Sequence, residues 1–184
     1  MAVLVVDNLS PFTQDILSCI CQLDKPYVHK RFSDVSREDL GQCDKVILSG
    51  RRKFSKEINA VNSNIIRYCD CSDKPLLGIC YGAEIIALTL GGSIRRMQAH
   101  IQGMTEVLLS SQNPLTEGKK SISVYESHRY CIAKLPSHFK PLASSNYCEY
   151  ELFSKNNNKI YGTQFHPEKS GGDGLALLKN FLDT

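Results

Sequence analysis

The sequence predicts an α/β fold: an open, mixed but mainly parallel sheet flanked by helices. Three observations predict it. Short apolar runs alternate with amphipathic stretches through the first half of the chain. Strands alternating with helices of this length place helices on both faces of a parallel sheet. An apolar strand then passes through Gly78-Ile79-Cys80-Tyr81-Gly82 directly into a helical stretch.

The elements follow in order. Ala2–Val6 is a continuous apolar run ended by Asp7-Asn8, as a buried strand is. Phe12, Ile16, Leu17, Ile20 and Leu23 recur at helical spacing, with Pro11 suited to a first turn and Ser10 to its cap. Tyr27–Arg31 and Lys45–Leu48 read as strands, the latter closed by Ser49-Gly50. Ile58, Val61, Ile65 and Ile66 form a helical stripe. Pro75–Ile79 is a strand, and Ala83–Leu90 a helix stopped by Gly91-Gly92. The segments Glu106–Leu109, Ile122–Tyr125, Pro141–Ser145 and Tyr150–Phe153 read as shorter strands separated by polar turns. Ile160–Gln164 is a last strand and Gly174–Leu182 a terminal helix. No repeat or linker divides the chain, so residues 1–184 are expected to form one domain.

Composition narrows the class. A net charge of +3, from 22 basic and 19 acidic residues without a long basic run, does not point to nucleic acid. No apolar stretch approaches a membrane span, and the N-terminus lacks the basic start of a secretory signal. A cytoplasmic location is expected, with the eight cysteines reduced. Cys19-x-Cys21 and Cys69-x-Cys71 lack the spacing and partners of a zinc site, so no metal is expected. His29, His100 and His138 read as solvated.

Gly-x-Cys-x-Gly between a strand and a helix is the cysteine form of the nucleophile elbow. Glycines two before and two after the nucleophile let chains pass closely, and the helix N-terminus favours the reactive thiolate. Such a nucleophile requires a base, and the base an orienting group. His166-Pro167-Glu168, after the strand Ile160–Gln164, supplies both: in extended geometry the two side chains share a side, with Glu168 on one imidazole nitrogen and Cys80 facing the other.

With Gly78–Gly82, Gly162–Glu168 and the strand end Ile47-Leu48-Ser49-Gly50 in place, the chain resembles the class I, triad-type glutamine amidotransferases over Val3–Phe181. The implied fold is flavodoxin-like. Leu88–Gly92, Val124–His128, Lys134-Leu135-Pro136 and Ala143–Ser145 are most similar to the separate glutaminase subunit of two-chain GMP synthetases. Asp7-Asn8 with Ser10, Phe12 and Thr13 partly resembles anthranilate or aminodeoxychorismate synthase glutaminases, and His166–Ser170 that of imidazole glycerol phosphate synthase. The resemblance implies that Cys80 attacks glutamine, His166 is acid and base, and Glu168 orients it. It implies oxyanion donors from the Tyr81 backbone and the Gly50–Arg51 loop, and substrate contacts from Glu84, Ser127 and His128. It also implies a partner, an ATP-dependent synthetase that most resembles the GMP synthetase ATP-pyrophosphatase, with ATP and magnesium confined to that partner and no cofactor here.

Three positions depart from the family pattern. Arg51 stands where the loop usually has a second glycine, and Glu84 where glutamine is usual. Tyr130 stands where the GMP synthetase branch usually has Asp. A carboxylate at Glu84 only accepts hydrogen bonds and repels the substrate carboxylate. These departures keep two other readings open: a stand-alone γ-glutamyl hydrolase and a regulatory pseudo-glutaminase.

Overall fold

The structure is a computed structural model that describes residues 2–110 and 113–184. Its elements are β1 Val3–Asp7, α1 Thr13–Gln22, β2 Tyr27–Arg31, α2 Arg37–Gln42, β3 Lys45–Leu48, α3 Lys56–Cys71, β4 Leu76–Ile79, α4 Tyr81–Thr89, β5 Ser93–Leu109, β6 Ser121–Lys134, β7 Phe139–Ser144, β8 Leu152–Lys155, β9 Ile160–Thr163 and α5 Gly171–Asp183. The strands form one sheet in the order β2-β1-β3-β4-β9-β8-β7-β5-β6. The first five run parallel, and the remaining pairings are antiparallel.

Strand alternation divides the core in two. Val3 and Val5 of β1, with Ile47 and Leu77, pack against Ile16 and Ile20 of α1 and Leu177 and Phe181 of α5. Leu4 and Val6, with Val46, Leu48 and Leu76, face Ile65 and Ile66 of α3 and Ile86 of α4. Successive residues of a strand point to opposite faces, so a run of apolar residues feeds both layers at once.

The structure differs from the sequence reading at identifiable places. α1 begins at Thr13 without a side-chain cap. The Ser10 hydroxyl instead accepts from the Phe12 N–H, and Thr13 donates its hydroxyl to Asp7. Pro75 lies outside β4, where its carbonyl accepts from Val46 N–H. α2 is one short helix that periodicity does not reveal, because only Leu40 of it is buried. Its signal is the reciprocal capping box of Ser36 and Asp39. The largest difference is the ribbon of β5 and β6, expected as Glu106–Leu109 and Ile122–Tyr125. It extends back to Ser93 and on to Lys134. Most of outer β5 is exposed or half-buried on both faces, so it lacks the alternation by which a strand is recognised.

Candidate active site

β4 ends at Ile79, and the next residue turns sharply. Cys80 has φ +52° and ψ −106°, a region that L-residues rarely occupy. Such a conformation costs on the order of 1–3 kcal/mol and persists only where surrounding structure enforces it. The Cys80 N–H donates to the Thr163 carbonyl at 2.7 Å, and its carbonyl accepts from Glu84 N–H at 3.0 Å. The two glycines serve proximity. A Cβ on Gly78 would lie 2.4 Å from the Gly82 carbonyl carbon, and one on Gly82 would lie 2.5 Å from the Leu48 carbonyl oxygen. Gly82→Ala is therefore expected to destabilise the protein by about 1–3 kcal/mol. Denaturant unfolding checks this; an unchanged midpoint would contradict the close approach.

His166 follows β9 and is held by backbone and side chain. Its N–H donates to the Tyr125 carbonyl at 2.8 Å, and its carbonyl accepts from the Ser170 hydroxyl at 2.6 Å. The Phe12 ring meets the imidazole edge-on, with centroids 4.9 Å apart. Nδ1 lies 2.8 Å from Glu168 Oε1. The pair does not sit on an extended dipeptide, as the sequence reading had it. Pro167–Lys169 forms a 3-10 turn, which folds Glu168 back onto the ring. With Nδ1 engaged, the other nitrogen is left for the Cys80 sulfur, whose charge favours the protonated ring.

The electrostatics of the pair are opposed. Burial pushes the Cys80 thiol up, and the neighbouring His166 draws it part of the way back. Burial works against a charged His166, but Glu168 and the Cys80 sulfur outweigh it and hold the imidazole well above its ordinary value. Glu168 thus favours the proton on His166, which is the arrangement that makes the reactive thiolate accessible.

Both flank a cleft of about 540 Å³, lined among others by Phe12, Arg51, Glu84 and Ser127. It opens at the carboxyl ends of the parallel strands, where open α/β sheets bind ligands. A smaller depression of about 370 Å³ lies at the amino ends, lined by Val3, Lys45 and Pro75, and holds no nucleophile.

The remaining predicted residues fall as follows. Gly50 borders the nucleophile: a Cβ there would sit 3.2 Å from the His166 ring and 3.8 Å from Cys80 Cβ. Arg51 has an ordinary negative φ, so its backbone carries no strain of the kind a missing glycine would cause. Its guanidinium stacks 3.8 Å over the Tyr81 ring and donates to Asn59 at 2.6 Å. Tyr81 donates its hydroxyl to the same Asn59 oxygen, and its backbone N–H, at the first turn of α4, faces the Cys80 sulfur. Ser127 meets the Cys80 thiol through its carbonyl, at 3.9 Å, and not through its hydroxyl. His128 is buried in the wall of the same cleft, with Nδ1 2.7 Å from the Tyr130 carbonyl and Nε2 3.0 Å from Glu126 Oε2. Glu84 is buried at the cleft floor, where Gln164 donates to it at 3.4 Å. Burial raises its pKa, which favours the neutral acid. In its neutral form Glu84 donates as well as accepts, without the repulsion expected of a carboxylate.

Sequence reasoning missed Phe12 and Asn59. A ring packed on the base and an amide gathering Arg51 and Tyr81 have no spacing signature, because each comes from another part of the chain.

Residues 4–184 match the family described as glutamine amidotransferase class-I. The chain is 35% identical over 148 residues to a glutamine-hydrolyzing GMP synthase subunit of Saccharolobus solfataricus, covering 79% of this chain and 78% of that one. It is 33% identical over 153 residues to the same-named protein of Thermoplasma acidophilum, covering 82% and 76%. Among solved structures it is similar to a putative GMP synthase subunit of Thermoplasma acidophilum, with a TM-score of 0.89 and 30% identity over 100% of this chain and 92% of that one. A Thermotoga maritima glutamine amidotransferase shares the fold at a TM-score of 0.75 and 21% identity, covering 91% and 76%.

Proposed function

This chain belongs to the class-I glutamine amidotransferase family, and on that footing we propose that it hydrolyses glutamine and passes the ammonia to a separate synthetase subunit that forms GMP from XMP. The observation that carries the reading is Cys80 on its strained elbow, sharing one cleft with His166, whose ring is held from behind by Glu168.

Each step follows from this chain's groups. The Cys80 sulfur adds to the side-chain carboxamide carbon of glutamine, and the developing oxyanion lies near the Tyr81 N–H at the start of α4. His166 gives its proton to the leaving nitrogen, ammonia departs, and a γ-glutamyl thioester remains. His166 then takes a proton from water, whose oxygen attacks the thioester. Glutamate leaves, and the sulfur regains its place beside the imidazolium. Glu168 holds the ring and stabilises its charged form throughout. Glu84, at the cleft floor, is placed to hydrogen-bond the substrate.

A partner chain is supported by the rim of the cleft. Phe54, Leu88 and Tyr130 line it with exposures of 70%, 42% and 44%, among Arg52, Lys53 and Arg129. Apolar side chains exposed together and ringed by charge mark an interaction surface. Tyr130, the departure from the family pattern, belongs to this rim. No helix among the described residues is long and apolar enough to cross a membrane. ATP and magnesium belong, on this reading, to the partner.

Reconstitution tests the proposal. With an ATP-pyrophosphatase subunit, XMP, ATP and magnesium, the chain is expected to let glutamine replace free ammonia as nitrogen donor for GMP. GMP formed only from added ammonia, with glutamate release unchanged by the synthetase, would contradict the partner assignment. Faster turnover of other γ-glutamyl amides in that case would identify a stand-alone hydrolase.

A further inference from the structure

A second cluster of reactive side chains lies behind the cleft wall. Glu126 and His128 share the inward face of β6, while Cys148 and Glu151 come from the connection between β7 and β8. All four are buried, the two glutamates at 0% exposure. Ligand atoms of His128, Cys148 and Glu151 lie within 4.8 Å of one another. Glu126 Oε2 is 3.0 Å from His128 Nε2. That contact lacks the alignment of a hydrogen bond, and Nε2 and both Glu126 oxygens have no hydrogen-bond partner. Glu151 Oε1 accepts from the Ser145 hydroxyl at 2.5 Å, but its Oε2 is also unpartnered.

The histidine tautomer sharpens this. Nδ1 lies 2.7 Å from the Tyr130 carbonyl, an arrangement that requires the proton on Nδ1. In the neutral ring the Nε2 lone pair then faces a carboxylate. A histidine that donates one N–H to a backbone carbonyl and presents the other nitrogen to its neighbours has the orientation of a metal ligand. Neither glutamate has a Lys or Arg ion pair among the described residues. Two wholly buried carboxyl groups without such a partner are met either by a shared proton or by a bound cation.

We propose that this cluster is a binding site for a divalent transition metal of the zinc class, with Cys148 Sγ, His128 Nε2 and the carboxylates of Glu151 and Glu126 as ligands. One sulfur, one imidazole and two carboxylates suit zinc by ligand type and number, and its softer sulfur donor disfavours magnesium or calcium. On binding, Cys148 releases its thiol proton to solvent. The site is separate from the triad but adjoins it, since Ser127 next to His128 places its carbonyl against the Cys80 thiol. It escapes spacing rules because its ligands come from two distant segments. The close Cys-x-Cys pairs, to which such rules draw attention, take no part.

The test uses the whole chain, stripped of metal and titrated with cobalt(II). Saturation at about one equivalent is expected, with a thiolate-to-cobalt charge-transfer band and displacement by zinc. Cys148→Ser is expected to remove that band, and Glu126→Gln to weaken cobalt at least ~10-fold. Zinc content after expression in zinc-supplemented medium and gel filtration provides a readout on the unaltered protein, in case a variant fails to fold. Absence of saturable metal binding, or a cobalt band that survives Cys148→Ser, would overturn the proposal and leave carboxyl groups that share protons.

Discussion

Cys80→Ser is expected to lower glutamine hydrolysis by on the order of 10⁴-fold or more while leaving the fold intact. The substitution changes one atom. The hydroxyl keeps the size and the elbow, so the strained backbone at φ +52° is unaltered. What is lost is the ease of ionisation: a thiol gives up its proton to the imidazole far more readily than an alcohol in the same place. His166 loses the sulfur charge that helps hold its proton. Circular dichroism and a melting temperature close to the parent's would show that the loss is chemical. Retention of a tenth of the activity would mean that the thiolate is not the nucleophile.

Glu168→Gln is expected to reduce kcat/KM by about 10²–10⁴-fold. The amide oxygen can still accept from His166 Nδ1, so the ring keeps its orientation and only the charge is removed. His166 then falls back towards its ordinary value, and the alkaline limb of the pH–rate profile moves to lower pH. The sign for stability follows from the same shift. A histidine raised on folding contributes stability that is fully present below its unfolded value and is lost as pH rises through its folded value. The stability difference between parent and variant should be large just below the ordinary histidine value and shrink as pH rises from there. Denaturation at several pH values checks this, and a difference that grows with pH would contradict the assigned cause.

What was legible in the sequence was local. Gly78-Ile79-Cys80-Tyr81-Gly82 announces an elbow because each glycine answers a contact within the turn, with Gly82 or with the neighbouring strand at Leu48. His166 and Glu168 are two residues apart, so their pairing survives even though the connecting backbone is a 3-10 turn and not extended. The parallel half of the sheet is legible because both of its faces are buried and its strands are continuously apolar. Outer β5 and β6 are not, because an exposed ribbon puts polar groups on both sides. The stack of Arg51 on Tyr81 above Asn59, and the buried group of Glu126, His128, Cys148 and Glu151, depend on tertiary placement. A single glutamate reads as surface; only packing shows that Glu84, Glu126 and Glu151 lie inside.

Glutamate release from glutamine, measured for the parent and for Cys80→Ala in parallel, with and without an ATP-pyrophosphatase subunit, tests the central claim most directly. The parent should release glutamate, faster when the synthetase is turning over, while Cys80→Ala stays at the background of buffer in both conditions. A parent no faster than Cys80→Ala in either condition would contradict the assignment of Cys80 as the nucleophile of a glutaminase.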